Sequence, residues 1–501
     1  MQNKTKIILG PPGTGKTHNL LNLVEQELAK GTPPDRIAFV AFTKKAASEA
    51  RDRAMKKFNL EEQHLPYFRT LHSFAFNQLG LTKSEVMSRD NYKEFGHTFG
   101  MDLGSVSDGV DSGGVFTVDN QLLSEVNLAR MKCMDLEHHY NDSNLDVSWH
   151  ALLRAQRSIE EFKKKKEILD FTDMIEMYIE SGMIPKLDVV FIDEAQDLCK
   201  LQWRMVHKIC ENAKQVYVSG DDDQAIYRWA GADVEHLIRL NGEREVLQQS
   251  YRCARVIQNC SQRIIGRVRN RIPKQWQGTE KRGLVQYHAY PDSVDVGDDN
   301  WLIMARTNYL LDEIERDIRL QGLFYKRNNR LPISQKLLNA TSAWKKLNEG
   351  GHIELTDVKD IYSYMSSEIG IERGHKNLRT ANKEQYELEE LVMHHGLLMG
   401  GRPWDVAFDK VGTRDKEFLR SIETRNKDFT KTDPKIHLST IHGAKGGEAD
   451  KVMLLTDLSR KSQEAMEKDS DDECRVFYVA ATRARNELHV VQPQRDGGFI
   501  I

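Results

Sequence analysis

Long apolar runs are missing from this 501-residue sequence. None approaches the about 20 residues that a bilayer-spanning helix needs, and Met1-Gln2-Asn3-Lys4-Thr5 offers no hydrophobic leader before the first motif. Secretion and membrane insertion are not expected; a cytoplasmic location is. The six cysteines, at positions 133, 199, 210, 253, 260 and 474, form no CxxC pair. A disulfide framework, a zinc ribbon and an iron–sulfur cluster are therefore disfavoured. The 12 prolines are scattered, and there is no short repeat and no Gly/Ser-rich linker. Domains in such a chain must be packed together or interrupted by insertions. Charge of one sign is not in excess either: the formal net charge is −3. That balance leaves nucleic acid open as a partner, because a local basic stripe binds phosphates and the sum does not.

At about 150 residues per domain the length suits three to four domains. Strand-like apolar runs, closed by Gly, Thr, Asp or Ser, punctuate the first half at Lys6 to Leu9, Arg36 to Phe42, Val189 to Ile192 and Gln215 to Val218. A second series follows at Trp301 to Met304, Ile436 to Ser439, Val452 to Leu455 and Glu487 to Val491. Short Val, Ile and Phe runs of this kind suit the buried parallel strands of an α/β sheet. Residues 85–165 and 335–430 break the rhythm with polar, helical patterns and read as helical insertions into two α/β lobes. The run Lys163 to Lys166 reads as a solvated helix face, with phosphate contact as its alternative. The pairs His138-His139 and His394-His395 are adjacent, not i, i+4, and read as surface histidines rather than metal ligands.

Chemistry enters at Gly10-Pro11-Pro12-Gly13-Thr14-Gly15-Lys16-Thr17, a GxxxxGK[ST] match placed directly after one strand and before a helical pattern starting near His18. Glycines there let successive N–H groups turn toward phosphate oxygens, Lys16 neutralises β/γ charge, and the Thr17 hydroxyl suits Mg²⁺. Such a loop alone permits a kinase, a GTPase or a motor. The strand Val189 to Ile192 then delivers Asp193-Glu194-Ala195-Gln196-Asp197, two adjacent carboxylates at its tip. One can hold Mg²⁺ while the other polarises water, which favours hydrolysis over transfer to a small acceptor.

Further motifs follow in order: Ala41-Phe42-Thr43-Lys44-Lys45-Ala46-Ala47, Thr70-Leu71-His72-Ser73-Phe74, Leu169-Asp170-Phe171-Thr172-Asp173 and Gly220-Asp221-Asp222-Asp223-Gln224-Ala225-Ile226-Tyr227. The second half continues with Gln249-Ser250-Tyr251-Arg252, Ala305-Arg306-Thr307-Asn308, Ser439-Thr440-Ile441-His442-Gly443-Ala444-Lys445-Gly446 and Phe477-Tyr478-Val479-Ala480-Ala481-Thr482-Arg483-Ala484. Together with the phosphate loop and the acidic strand end, the series resembles the UvrD/Rep/PcrA helicases of superfamily 1 from residue 10 to about 491.

The resemblance implies two RecA-like lobes. The first is expected over 1–85 and 166–245 with a helical insertion at 86–165. The second is expected over 246–334 and 431–501 with a smaller helical insertion at 335–430. It implies ATP and Mg²⁺ as cofactors, with Gly10 to Thr17 as the phosphate loop and Thr17 and Asp193 on the metal. Lys16, Asp193, Glu194, Gln224 (γ-phosphate and water), Arg252 and Arg483 (arginines the second lobe points at the γ-phosphate) are implied as catalytic, Tyr251 as the aromatic stacked on the base, and Glu448 as the acid near the ribose. Phe42, His72, Tyr227, Trp229, Arg306, Asn308, His442 and Phe499 match positions facing a single strand. Expected partners are single-stranded and tailed duplex DNA, with a single-strand-binding or replication protein alongside a monomeric enzyme. The implied activity is 3′ to 5′ translocation with duplex separation. A translocase that strips bound proteins, and a non-motor binder with a regulatory ATP site, are the competing readings.

Departures from the family pattern also carry expectations. No glutamine motif fits upstream of residue 10, since Gln2 is too close, so base selectivity is expected to be relaxed. Ala230 stands where an arginine is common, Lys44 where asparagine is, and Gly447 where leucine is. No nuclease domain is expected, and the compactness suits a phage-encoded or minimal bacterial enzyme.

Overall fold

The computed structural model describes residues 4–501 apart from 104–105, 108–116, 119, 144, 379–382 and 426–432. The chain divides into two compact units, Met1–Arg282 with Ala465–Thr482, and Gly283–Glu464 with Arg483–Ile501. Each unit is built on a six-stranded sheet in which every pairing is parallel, the α/β architecture of a RecA-like lobe.

The first sheet runs, edge to edge, Phe68–Thr70, Ile37–Ala41, Val189–Ile192, Gln215–Gly220, Lys4–Leu9 and Glu243–Val246. Ile37–Ala41 and Val189–Ile192 are buried along their whole length. Their unbroken apolar composition follows from helices covering both faces. The two edge strands were not legible as strands. Phe68–Thr70 is three residues long and Glu243–Val246 carries Glu243, Arg244 and Glu245, because an edge strand meets solvent and needs no continuous apolar run.

Among the described residues between 86 and 165 the chain is mainly helical, with Arg89–Phe99, Gln121–Met131, Leu136–Asp142 and Trp149–Lys166, and Val106–Ser107 pairs antiparallel with Thr117–Val118. Tyr92, Phe95, Leu123, Ala155, Ile159 and Phe162 form its own small core. The lysine run that closes Trp149–Lys166 is not uniformly solvated. Lys163 is 8% exposed, and its ammonium donates to Asp170 at 2.6 Å and to Asp173 at 2.6 Å. Arg130 binds the same two carboxylates at 2.8 and 2.5 Å, and Glu176 at 2.6 Å. Asp170 caps the helix Phe171–Ser181, which is why the Leu169 to Asp173 motif sits where it does. His139, read as a surface residue, is buried with Nε2 2.8 Å from Glu125, and His395 is buried too.

The second sheet runs Leu284–His288, Ala484–Val491, Ala449–Leu455, Trp301–Ala305, Ile436–Thr440 and Tyr325–Arg327. Its four inner strands contain the four apolar runs of the second half of the sequence. The helices Gln335–Asn348, Leu355–Ser363, Leu388–His394 and Thr413–Arg425 share one apolar core with this sheet, through Trp344, Leu347, Tyr362, Leu391 and Leu419 beside Trp301, Ile303 and Tyr325.

Residues 246–282 and 465–482, expected in the second lobe, pack within the first unit. Ser250 Oγ donates to Pro12 O at 2.7 Å, the Tyr251 amide donates to Gly13 O at 2.8 Å, and Arg475 Nε donates to Asp222 O at 3.1 Å.

Replacing Lys163 by alanine strands two carboxylates that only Arg130 then neutralises. The expected loss is about 3 kcal/mol, the cost of breaking a buried pair from one side. Lys164→Ala, on the solvated side of the same run, is expected to change stability by less than about 0.5 kcal/mol. Urea unfolding of the two variants measures the contrast.

Candidate nucleotide and strand site

Three neighbouring strands of the first sheet end in the motifs that carry chemistry: Lys4–Leu9 in the phosphate loop, Val189–Ile192 in Asp193-Glu194, and Gln215–Gly220 in Asp221 to Gln224. The carboxyl edge of a parallel sheet is where such folds place ligands.

The loop from Gly10 to Thr17 is shaped by glycine at defined points. A Cβ on Gly10 would lie 1.9 Å from Lys16 Cγ, so only glycine lets the lysine stem fold over the loop, where Nζ donates to Gly10 O at 2.9 Å. Gly13 has φ +72°, and a Cβ there would lie 2.4 Å from Arg252 Cβ. Arg252 thus packs directly on the phosphate loop, and its guanidinium donates to Thr482 O at 3.4 Å. Gly15 caps the helix Lys16–Ala29 from a left-handed conformation, turning the first-turn amides toward the loop.

Thr17 Oγ1 donates to Asp193 Oδ2 at 2.9 Å, and the Glu194 amide donates to Asp193 Oδ1 at 3.0 Å. Burial, then the neighbouring Glu194 charge, pushes the Asp193 carboxyl up to about 7, against the pull of the Thr17 hydroxyl and of Lys16. A buried carboxylate this poorly compensated, beside a hydroxyl and with oxygen donors only, fits a hard divalent cation such as Mg²⁺. Glu194 itself adopts φ 52°, a left-handed backbone rare for a side chain of its length.

The loop Asp221 to Gln224 is wholly buried. Gln224 Nε2 donates to Asp221 Oδ2 at 2.7 Å. The three successive aspartates are held by Lys274, whose ammonium lies 3.1, 2.5 and 3.0 Å from Asp221, Asp222 and Asp223. Arg271 adds a two-pronged contact to Asp223 at 2.8 and 2.5 Å. Burial alone would lower the Lys274 pKa, but the three carboxylates raise it overall.

Aromatic side chains surround this edge. Tyr251 is 77% exposed, one residue before Arg252. Trp229 is 59% exposed, at the mouth of a cavity of about 450 Å³ whose wall includes Lys132, Lys200 and Arg228. Tyr227 stacks on Phe42 at 6.3 Å between centroids. Phe42 itself belongs mainly to the core. His72 packs edge-on to Phe171, and burial pushes its imidazole down to about 4, so it is neutral near pH 7.

The second unit carries the remaining matches. Asn308 is exposed and its side chain accepts from Asn328 Nδ2 at 3.1 Å. Arg306 and His442 are half-buried at the carboxyl ends of the strands Trp301–Ala305 and Ile436–Thr440. Arg483 is buried and donates to Gly447 O at 3.2 Å, and Glu448 pairs with Arg485 at 2.5 Å. Phe499 is 3% exposed, with its amide bound to Thr456 O at 2.8 Å.

With this geometry in hand, comparison with known proteins is direct. Residues 1–244 match the model of the UvrD/REP helicase N-terminal domain, and residues 308–494 that of the UvrD-like helicase C-terminal domain. The chain belongs to the UvrD-like helicases of superfamily 1. It is 26% identical over 397 residues to an ATP-dependent DNA helicase PcrA of Staphylococcus epidermidis, covering 72% of this chain and 51% of the relative. The corresponding values for PcrA of Leuconostoc citreum are 23% over 394 residues, 72% and 50%. A probable DNA helicase II homolog of Mycoplasma capricolum is 22% identical over 619 residues, covering 99% of this chain and 83% of that one. The chain spans about half the length of the PcrA proteins it matches.

Within this UvrD-like chain, sequence reasoning missed Lys274, Arg271 and Arg475. No periodicity or motif marks Arg271-Ile272-Pro273-Lys274; only the unbalanced run Asp221-Asp222-Asp223, buried at a strand end, implies that cations must come from elsewhere.

Lys274→Ala leaves three buried carboxylates facing Arg271 alone. A stability loss of about 3 to 5 kcal/mol is expected at pH 7. The deficit should shrink toward pH 5, because the Asp222 pKa is already raised by burial and a neutral carboxyl needs no cation. Denaturant titrations at the two pH values test both points.

Proposed function

We propose that this chain is an ATP-dependent DNA helicase, moving 3′ to 5′ on single-stranded DNA and separating duplex ahead of it. Its two RecA-like lobes would carry helical insertions over 86–165 and 335–430. The observation that carries the reading is the 2.9 Å bond from Thr17 to Asp193, which joins the phosphate loop to an acidic strand end with Glu194 next in sequence. The matched relatives are named as ATP-dependent DNA helicases, in agreement with it.

In this reading Lys16 and the loop amides bind the β- and γ-phosphates, and Thr17 and Asp193 hold magnesium. A divalent ion there offsets charge on phosphoryl oxygens when the nucleotide complex binds. Glu194 orients and deprotonates the attacking water, Gln224 positions it against the γ-phosphate, and Arg252, packed on Gly13, faces the charge that spreads in the transition state. Arg483 is proposed as a second arginine of the hydrolysis step. Tyr251, exposed beside the loop, offers a face to the base.

Phe42, His72, Tyr227, Trp229, Arg306, Asn308 and His442 are proposed to track the strand, with the neutral His72 acting as a hydrogen-bonding and stacking group rather than as a phosphate-neutralising cation. A monomer acting in the cytoplasm beside a single-strand-binding protein completes the proposal.

ATP turnover titrated with 3′-tailed, 5′-tailed and blunt DNA is the test, run beside strand-displacement and streptavidin-displacement assays. Turnover should rise with DNA, and unwinding should require the 3′ tail. Glu194→Gln is expected to lower kcat by at least about 10²-fold, the scale of a lost general base. Trp229→Ala should raise the DNA concentration for half-maximal stimulation about fivefold or more, as loss of one stacked base predicts. Parental turnover in Glu194→Gln overturns the base assignment, and streptavidin displacement without unwinding converts the reading to a translocase.

A further inference from the structure

Gln196 lies between the two acidic strand ends and has no role in the hydrolysis scheme above, yet it is fully buried and its amide is bonded at both ends. Oε1 accepts the Asp221 N–H at 3.0 Å, while Nε2 donates to Glu194 Oε2 and, at 3.3 Å, to Asp197 Oδ2. A backbone N–H can only donate, so the amide oxygen must face Asp221 and the amino group must face Glu194. The opposite orientation would set donor against donor and oxygen against carboxylate. Asp221 then accepts from Gln224 Nε2 at 2.7 Å. Hydrogen bonds therefore run from Glu194 through Gln196 and Asp221 to Gln224, across the tips of two adjacent strands. Gly220 makes room for this link, because a Cβ there would lie 2.9 Å from Gln196 Oε1.

We propose that Gln196 is a positioning residue that selects one orientation of the Glu194 carboxylate and ties it to Gln224, so that the water-activating and phosphate-sensing side chains are set as one unit. The inference rests on the roles given to Glu194 and Gln224 above. Glutamate has three side-chain torsions, so the backbone position of Glu194, at φ 52°, does not by itself fix where its carboxylate lies. A donor fixed from behind removes that freedom before substrate arrives. Misplacing a catalytic group by about 1 Å can cost about 10²-fold in rate. The link costs little in return, since the Gln196 and Asp221 polar atoms it joins are buried and need partners in any case.

The test uses the full chain with saturating single-stranded DNA and compares Gln196→Met, Gln196→Glu and Gly220→Ala with the parent. Gln196→Met keeps the volume and removes both bonds. Gln196→Glu keeps the acceptor for Asp221 but sets carboxylate against carboxylate. Gly220→Ala displaces the amide without deleting it. Each is expected to lower kcat between about 10- and 100-fold, with KM for ATP and the dissociation constant of a fluorescent ATP analogue changed less than about twofold, the pattern of an interaction used only after binding. Combining Gln196→Met with Gln224→Ala should cost little more than Gln224→Ala alone, because the two act through one unit. A general packing defect would instead weaken nucleotide binding and multiply with Gln224→Ala, and either result overturns the inference. Should Gln196→Met fail to fold, the Gly220→Ala and Gln196→Glu variants decide. Glu194→Gln, run in parallel, separates the two levels. If it turns over normally the base assignment fails; if it is inactive while the Gln196 and Gly220 variants keep parental kcat, only the positioning role fails.

Discussion

Keeping carboxylates ionised inside protein is the constraint on which the first unit's chemistry depends. Asp193, Asp221, Asp222 and Asp223 all sit at strand tips with almost no exposure, and each would be driven toward its neutral form without compensation. Compensation takes two forms. The triplet 221–223 is balanced from within by Lys274 and Arg271. Asp193 has only a hydroxyl, a backbone amide and the more distant Lys16, and its carboxyl rides up to about 7. The first arrangement is supplied by the fold's own cations, although burial still holds the Asp222 pKa above its ordinary value. The second is incomplete and suits an incoming cation.

Sheet order makes that contrast spatial. Val189–Ile192, Gln215–Gly220 and Lys4–Leu9 are consecutive neighbours, although 205 residues lie between Leu9 and Gln215 in the sequence. Parallel pairing aligns their carboxyl ends, with Leu9 opposite Gly220 and Ile192 opposite Val218. The phosphate loop, the acidic pair and the sensor loop therefore meet by backbone register, before any side-chain contact is counted. Short helical caps fix the exits: Thr43 and Thr70 accept the Ala46 and Ser73 amides, so two further motifs are pinned at helix starts.

How much of this was legible depends on what each position needs. Inner strands bury both faces and must be apolar throughout, so the runs at 189–192, 301–304 and 436–439 announced themselves. Edge strands such as Glu243–Val246 and Leu284–His288 have mixed composition and did not. The phosphate loop was legible because backbone geometry demands glycine at 13 and 15, where φ is +72° and +79°. Lys163 and Lys274 were not, because a lysine in a charged run or an irregular segment looks the same whether it faces water or three aspartates. Phe499, matched by resemblance to a strand-facing position with a frayed tail as the alternative, is 3% exposed, a burial that no local pattern around it announces.

The segment from Gln224 to Trp229 joins the buried Gln224 amide to the exposed Trp229 indole with little slack. Ala225 and Ile226 are buried, the Tyr227 ring stacks on Phe42, and Arg228 pairs with Asp472 at 2.6 Å. Two short helical turns, Asp222–Gln224 and Arg228–Ala230, bracket these contacts. Close-packed interiors rearrange between discrete states rather than deforming gradually. A displacement of Gln224 must therefore either stop at Ile226, leaving a void there, or move Tyr227 and Trp229 with it. Voids in packed cores are costly, on the order of 1 kcal/mol or more for even a methyl-sized gap. The concerted shift is the cheaper outcome, so the packing of Ile226 and Tyr227 ties the position of Gln224 to that of Trp229.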